Sequence, residues 1–73
     1  MNKEEFLNEL KVAINTDNDL HEDVILNELH EWDSLAVMCT ISMFIDKFDI
    51  SIDFDEIKNF KTVKDLMNKA DIK

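Results

Sequence analysis

The sequence predicts an all-α fold, a small bundle of three main helices plus one short helix, with a long loop between helices 1 and 2. Three observations carry this. The chain has no glycine and no proline, so nothing breaks its runs of helix formers. Apolar residues recur at spacings of three and four in three separate stretches. The one alternating stretch, Asp49-Ile50-Ser51-Ile52-Asp53, has no second strand to pair with. At 73 residues the chain is expected to form a single domain spanning 1–73.

Each element follows from local signals. Residues 3–15 read as the first helix. Asn2 caps it, and Glu5 stands where a capping box places its acid. Phe6, Leu10, Ala13 and Ile14, with Leu7 beside them, form its apolar face. Residues 16–33 read as the long connection, opened by the turn formers Thr16, Asp17, Asn18 and Asp19. Leu20, Val24, Ile25, Leu26, Leu29 and Trp32 are expected to pin it across the core, with one short turn around Val24 to Leu29.

Residues 34–47 read as the second helix, with Asp33 as N-cap. Leu35, Met38, Ile41 or Ser42, Ile45 and Phe48 trace one face. Val37, Cys39 and Phe44 lie elsewhere, so this helix is apolar on more than one side. Residues 54–59 read as the short helix, capped by Asp53, with Phe54 and Ile57 inward. Residues 63–71 read as the last helix, with Thr62 and Asp65 as a capping pair. Val63, Leu66, Met67 and Ala70 are its inner face.

Charge narrows the function classes. The formal net charge is −9. Residues 17–56 hold twelve acids and a single lysine, Lys47, whereas residues 57–73 hold five lysines and two acids. An acidic middle disfavours nucleic acid and anionic membrane and suits basic protein surfaces. No apolar run approaches the roughly 20 residues of a membrane span. The polar start, Met1 to Glu5, does not resemble a signal peptide. One cysteine, Cys39, allows no internal disulfide and reads as a reduced thiol in a cytoplasmic protein, and the chain is expected to be a monomer. The absence of glycine excludes the P-loop, the dinucleotide fingerprint and the standard EF-hand loop.

Little chemistry remains, and it centres on Trp32-Asp33-Ser34-Leu35. Ser34 falls in the first turn of the second helix, where backbone N–H groups and the helix dipole favour an attached phosphate. His21 and His30 match no metal-ligand spacing and read as solvated loop residues, so no metal centre and no enzyme are expected. A small acidic helical binding module without a prosthetic group is the alternative. Its calcium-binding form would use Asp17, Asp19, Glu22 and Asp23, whose spacing is irregular.

Asp33-Ser34-Leu35 opening the second helix resembles the acyl carrier protein family. Leu26-x-x-Leu29 precedes it at the carrier spacing. Phe48-Asp49-Ile50-x-Ile52 and Thr62-Val63-x-x-Leu66 follow where carriers place their counterparts. The resemblance covers nearly the whole chain. It implies a non-catalytic carrier with 4′-phosphopantetheine attached to Ser34 by a separate phosphopantetheinyl transferase, using magnesium. Asp33 would support the attachment. The partners implied are acyl- or aminoacyl-loading enzymes and downstream biosynthetic enzymes. Leu35 would contact them, with Val37 and Met38 extending the patch. An acyl chain held between the helices would meet Phe44, Ile57 and Met67.

The chain departs from carriers of fatty acid synthesis in two ways. No glycine precedes the Asp-Ser pair. The second helix holds few acids, Asp46 within it and Asp49 just beyond, and places Val37, Cys39 and Ile45 where charges are usual. Both departures favour a dedicated pathway, such as one for specialised metabolites or surface polysaccharides, over general fatty acid synthesis.

Overall fold

The computed structural model describes residues 2–72. Among them run four α-helices: α1 (Lys3–Ile14), α2 (Ser34–Phe48), α3 (Phe54–Lys58) and α4 (Val63–Lys69). A single 3-10 turn, Leu26–Glu28, lies in the α1–α2 loop. The architecture is the expected all-α bundle, with helix ends within two residues of the sequence reading.

Local chemistry sets those ends. Asn2 and Glu5 form the expected capping box, each accepting the other's backbone N–H. Asp33 and Asp53 each cap a helix through a side-chain oxygen, accepting from Ala36 at 2.9 Å and Glu56 at 2.7 Å. With no glycine available, Asn15 and Asp49 supply the left-handed residues that close α1 and α2, at φ 62° and 56°.

The core gathers Phe6, Leu10 and Ile14 of α1, Phe44 of α2, Ile57 of α3, and Val63 and Leu66 of α4. Phe6 meets Phe44 edge-on at 6.1 Å, and both rings approach Phe48. Of the long loop's expected anchors, Leu20 and Leu26 are buried, and Val24, Leu29 and Trp32 are partly covered. Ile25 is instead 43% exposed.

Backbone pairing explains Ile25. The Leu26 N–H donates to the Lys61 carbonyl at 2.8 Å, and the Val63 N–H donates to the Val24 carbonyl at 3.0 Å. Ile25 and Thr62 thus form an antiparallel bridge, and the pairing turns the Ile25 side chain outward. The loop is tied to the start of α4 by hydrogen bonds as well as by apolar anchors.

The structure selects between the apolar faces that the sequence leaves open on α2. Ala36, Val37, Thr40, Met43 and Phe44 are buried, whereas Leu35, Met38 and Ile45 are exposed. The helix is apolar on more than one side, so its periodicity alone does not single out the inner face. Packing on α1 and α3 selects the face centred on Thr40. That residue is fully buried because its hydroxyl donates to the Ala36 carbonyl at 2.8 Å. Phe54 is corrected: it is 38% exposed, while Ile57 turns inward.

Candidate functional site

The chain reaches α2 through two tight turns. The Trp32 N–H donates to the Leu29 carbonyl, and the Asp33 N–H donates to the Glu31 carbonyl at 2.9 Å. Asp33 is extended, at φ −116° and ψ −173°. Its carbonyl accepts the first intrahelical bond, from Val37, and its carboxylate takes the Ala36 amide. Ser34 follows as the first helical residue, with its side chain exposed. The amides of Ser34 and Leu35 find no acceptor among the described residues. The site therefore offers a solvent-facing hydroxyl beside two free N–H groups and the positive end of a 15-residue helix. That donor set fits a phosphodiester.

Beside Ser34 lies a groove of about 260 Å³, walled by the long loop, the start of α2 and the short α3. Trp32, Phe54 and Val37 give it apolar surface, and Asn27, Asp33 and Lys58 give it polar groups. The Lys58 ammonium stands 5.3 Å from the centre of the Phe54 ring. Trp32 belongs to the Trp32-Asp33-Ser34-Leu35 run that the sequence singles out, whereas Asn27, Phe54 and Lys58 carry no such signal. No local pattern links them, because their meeting depends on how the loop and α3 pack.

Leu35 and Met38 are 69% and 59% exposed and flank the serine on the outer side of α2, where Cys39 and Ile45 are also exposed. Val37 does not belong to this outer patch. It is 4% exposed, because the position three residues after the serine faces the core. Phe44, Ile57 and Met67 come together inside the bundle, at 0%, 0% and 3% exposure. The acids of the long loop are partly engaged: Asp19 pairs with Lys11 at 3.2 Å and Glu22 with Lys3 at 3.3 Å. His21 and His30 are exposed.

A helical bundle that holds an exposed serine at the start of its second helix has the form of a carrier domain. The chain is 31% identical to an acyl carrier protein of Kocuria rhizophila, over 94% of this chain and 91% of that protein. No family model matches the chain. No solved structure matches it significantly. The chain belongs to the acyl carrier protein family. It is a carrier that works with biosynthetic enzymes and is not itself a catalyst. Among the described residues, no helix is long and apolar enough to cross a membrane.

Proposed function

We propose that this chain carries an acyl or aminoacyl group on a 4′-phosphopantetheine arm attached to Ser34. The observation that carries the reading is the exposed Ser34 hydroxyl at the first position of α2, beside two unengaged backbone amides. In the attachment, the Ser34 oxygen forms a new bond to the pantetheine phosphate of coenzyme A. Its proton leaves, and adenosine 3′,5′-bisphosphate departs. A phosphopantetheinyl transferase supplies the catalysis, with magnesium. Asp33 holds Ser34 at the helix start by capping Ala36, and the dipole of α2 offsets the charge of the diester. When bound, the arm supplies a thiol that holds the cargo as a thioester. Tethering raises the effective concentration of cargo at each partner enzyme.

The outer face of α2 supports a dedicated pathway. It presents Leu35, Met38, Cys39 and Ile45 to solvent, so partner enzymes grip it mainly through apolar contacts, with Leu35 and Met38 nearest the serine. The chain acts as a cytoplasmic monomer, and Phe44, Ile57 and Met67 line the space that an inserting acyl chain would open.

Intact mass tests the attachment. The protein is incubated with coenzyme A, magnesium and a broad-specificity transferase, with Ser34→Ala as control. The expected result is a gain of one phosphopantetheine group in the wild type alone. No gain, with a transferase that loads other carriers, overturns the reading. Efficient chain elongation of the loaded protein by a generic fatty acid synthase would overturn the dedicated pathway.

A further inference from the structure

We infer that the groove between α3 and α4 is a docking site for an extended, acidic segment of a partner protein. Its volume is about 590 Å³. None of its lining residues lines the groove beside Ser34, so the site is independent of any arm on that serine. Charge marks this end of the bundle out. Residues 57–73 carry a formal charge of +3, whereas residues 1–56 carry −12. Lys58, Lys61 and Lys64 form no salt bridge among the described residues, and they fall within one run of seven residues. Lys47 is the one other described lysine without such a pair, and it lies apart on α2.

Both carboxylates that line the groove are already engaged. Glu56 pairs with Lys69 at 2.9 Å, which ties α3 to α4. Asp65 accepts the backbone N–H groups of Lys61 and Thr62 at 2.8 and 3.1 Å. Lys61 is therefore the lining cation with no carboxylate of its own. Phe60, half-buried, gives the groove its apolar surface. The exposed side-chain amides of Asn59 and Asn68 each offer donors and an acceptor, as a peptide group does. An extended segment turns alternate side chains to opposite faces. Its apolar side chains rest on Phe60, its peptide groups meet the two asparagines, and its carboxylates reach Lys61 and the neighbouring Lys64. The backbone of this rim is held in advance. The Leu26 N–H donates to the Lys61 carbonyl at 2.8 Å, and the Lys64 N–H donates to the Glu22 carbonyl at 3.0 Å. The acidic remainder of the chain repels the same segment, so it is confined to this end and orients its protein on the carrier.

The probe is an acetylated, amidated hexapeptide of alternating glutamate and leucine, titrated into the full chain and followed by amide chemical shifts in nitrogen–proton NMR. Probe and protein share the sign of their net charge, so general attraction cannot produce binding. The shifts are expected to concentrate in residues 56–69, including the side-chain amides of Asn59 and Asn68, and affinity should fall as salt is added. Lys61→Gln is expected to weaken binding by about two- to fivefold. Lys47→Gln, an equal change of charge on α2, should leave it unchanged. Both lysines are exposed, so each variant should keep the helical circular dichroism of the parent. No shifts at millimolar probe, or shifts spread evenly over the chain, overturn the docking site. Equal weakening by the two substitutions overturns the role of Lys61. The same response to glutarate, a dicarboxylate without peptide groups, makes the occupant a small acid and overturns the extended segment.

Discussion

Two methionines on α2 separate its inner and outer faces with the same chemistry. Met43 is 7% exposed and Met38 is 59% exposed. Truncating Met43 to alanine removes a nearly complete transfer of its side chain from water, about 1.5–3 kcal/mol. It also leaves a cavity, which brings the loss to about 2–5 kcal/mol. Met38→Ala gives up contacts that are already more than half in water and gains a better helix former, so its loss is about 0.5 kcal/mol. A domain of 73 residues has only about 4–11 kcal/mol of net stability. Thermal melts by circular dichroism should therefore show Met43→Ala falling by at least about 8 °C and Met38→Ala by no more than about 4 °C. Urea unfolding at constant slope gives the free energies directly. Docking should reverse the order, with Met38→Ala weakening partner binding and Met43→Ala, below its melting point, leaving it intact. Equal destabilisation by the two substitutions would refute the assignment of the faces.

Three further outcomes follow from the capping chemistry and the charge. Asp65 accepts the backbone N–H groups of Lys61 and Thr62, which holds its carboxyl below the ordinary value of 3.8. Its stabilisation is therefore present above that value and lost as pH falls through the lowered one. Asp65→Ala should cost up to about 1 kcal/mol near neutral pH, with the gap to wild type closing below about pH 4 in pH-dependent melts. Asp49→Gly, at a φ of 56°, should raise stability by about 0.5–1 kcal/mol, and a lower melting temperature would refute the argument from left-handed backbone. With a net charge of −9, added salt should raise the melting temperature of the wild type, and a fall would show that favourable ion pairs dominate.

The site divides along the same line as the fold. Ser34 and Asp33 were legible in the sequence because a cap and the residue after it are fixed by a local hydrogen bond, here from Ala36. Phe54 and Lys58 were not legible as site residues. Phe54 read as an inward residue at the start of a short helix, and Lys58 as one member of a basic segment. What gives them meaning is that they line one groove with Trp32, which depends on how α3 and the long loop pack, and the loop is itself tied to the start of α4 by the bridge between Ile25 and Thr62. A bridge of one residue pair has no alternation by which a sequence can announce it.

By itself, the sequence determined the all-α class, the number of helices, their capped ends, the acidic character and the serine at the head of α2. These rest on interactions between residues a few positions apart, which any chain with this order of side chains would make. Tertiary structure decided which face of α2 lies inside and which loop residues turn outward. It alone brought α3 against the long loop beside Ser34. The physical reason is that α2 is apolar on more than one side, so its own periodicity leaves a choice of inner face. The rings of Phe6, Phe44 and Phe48 settle its rotation by packing between helices, and packing is a property of the whole chain.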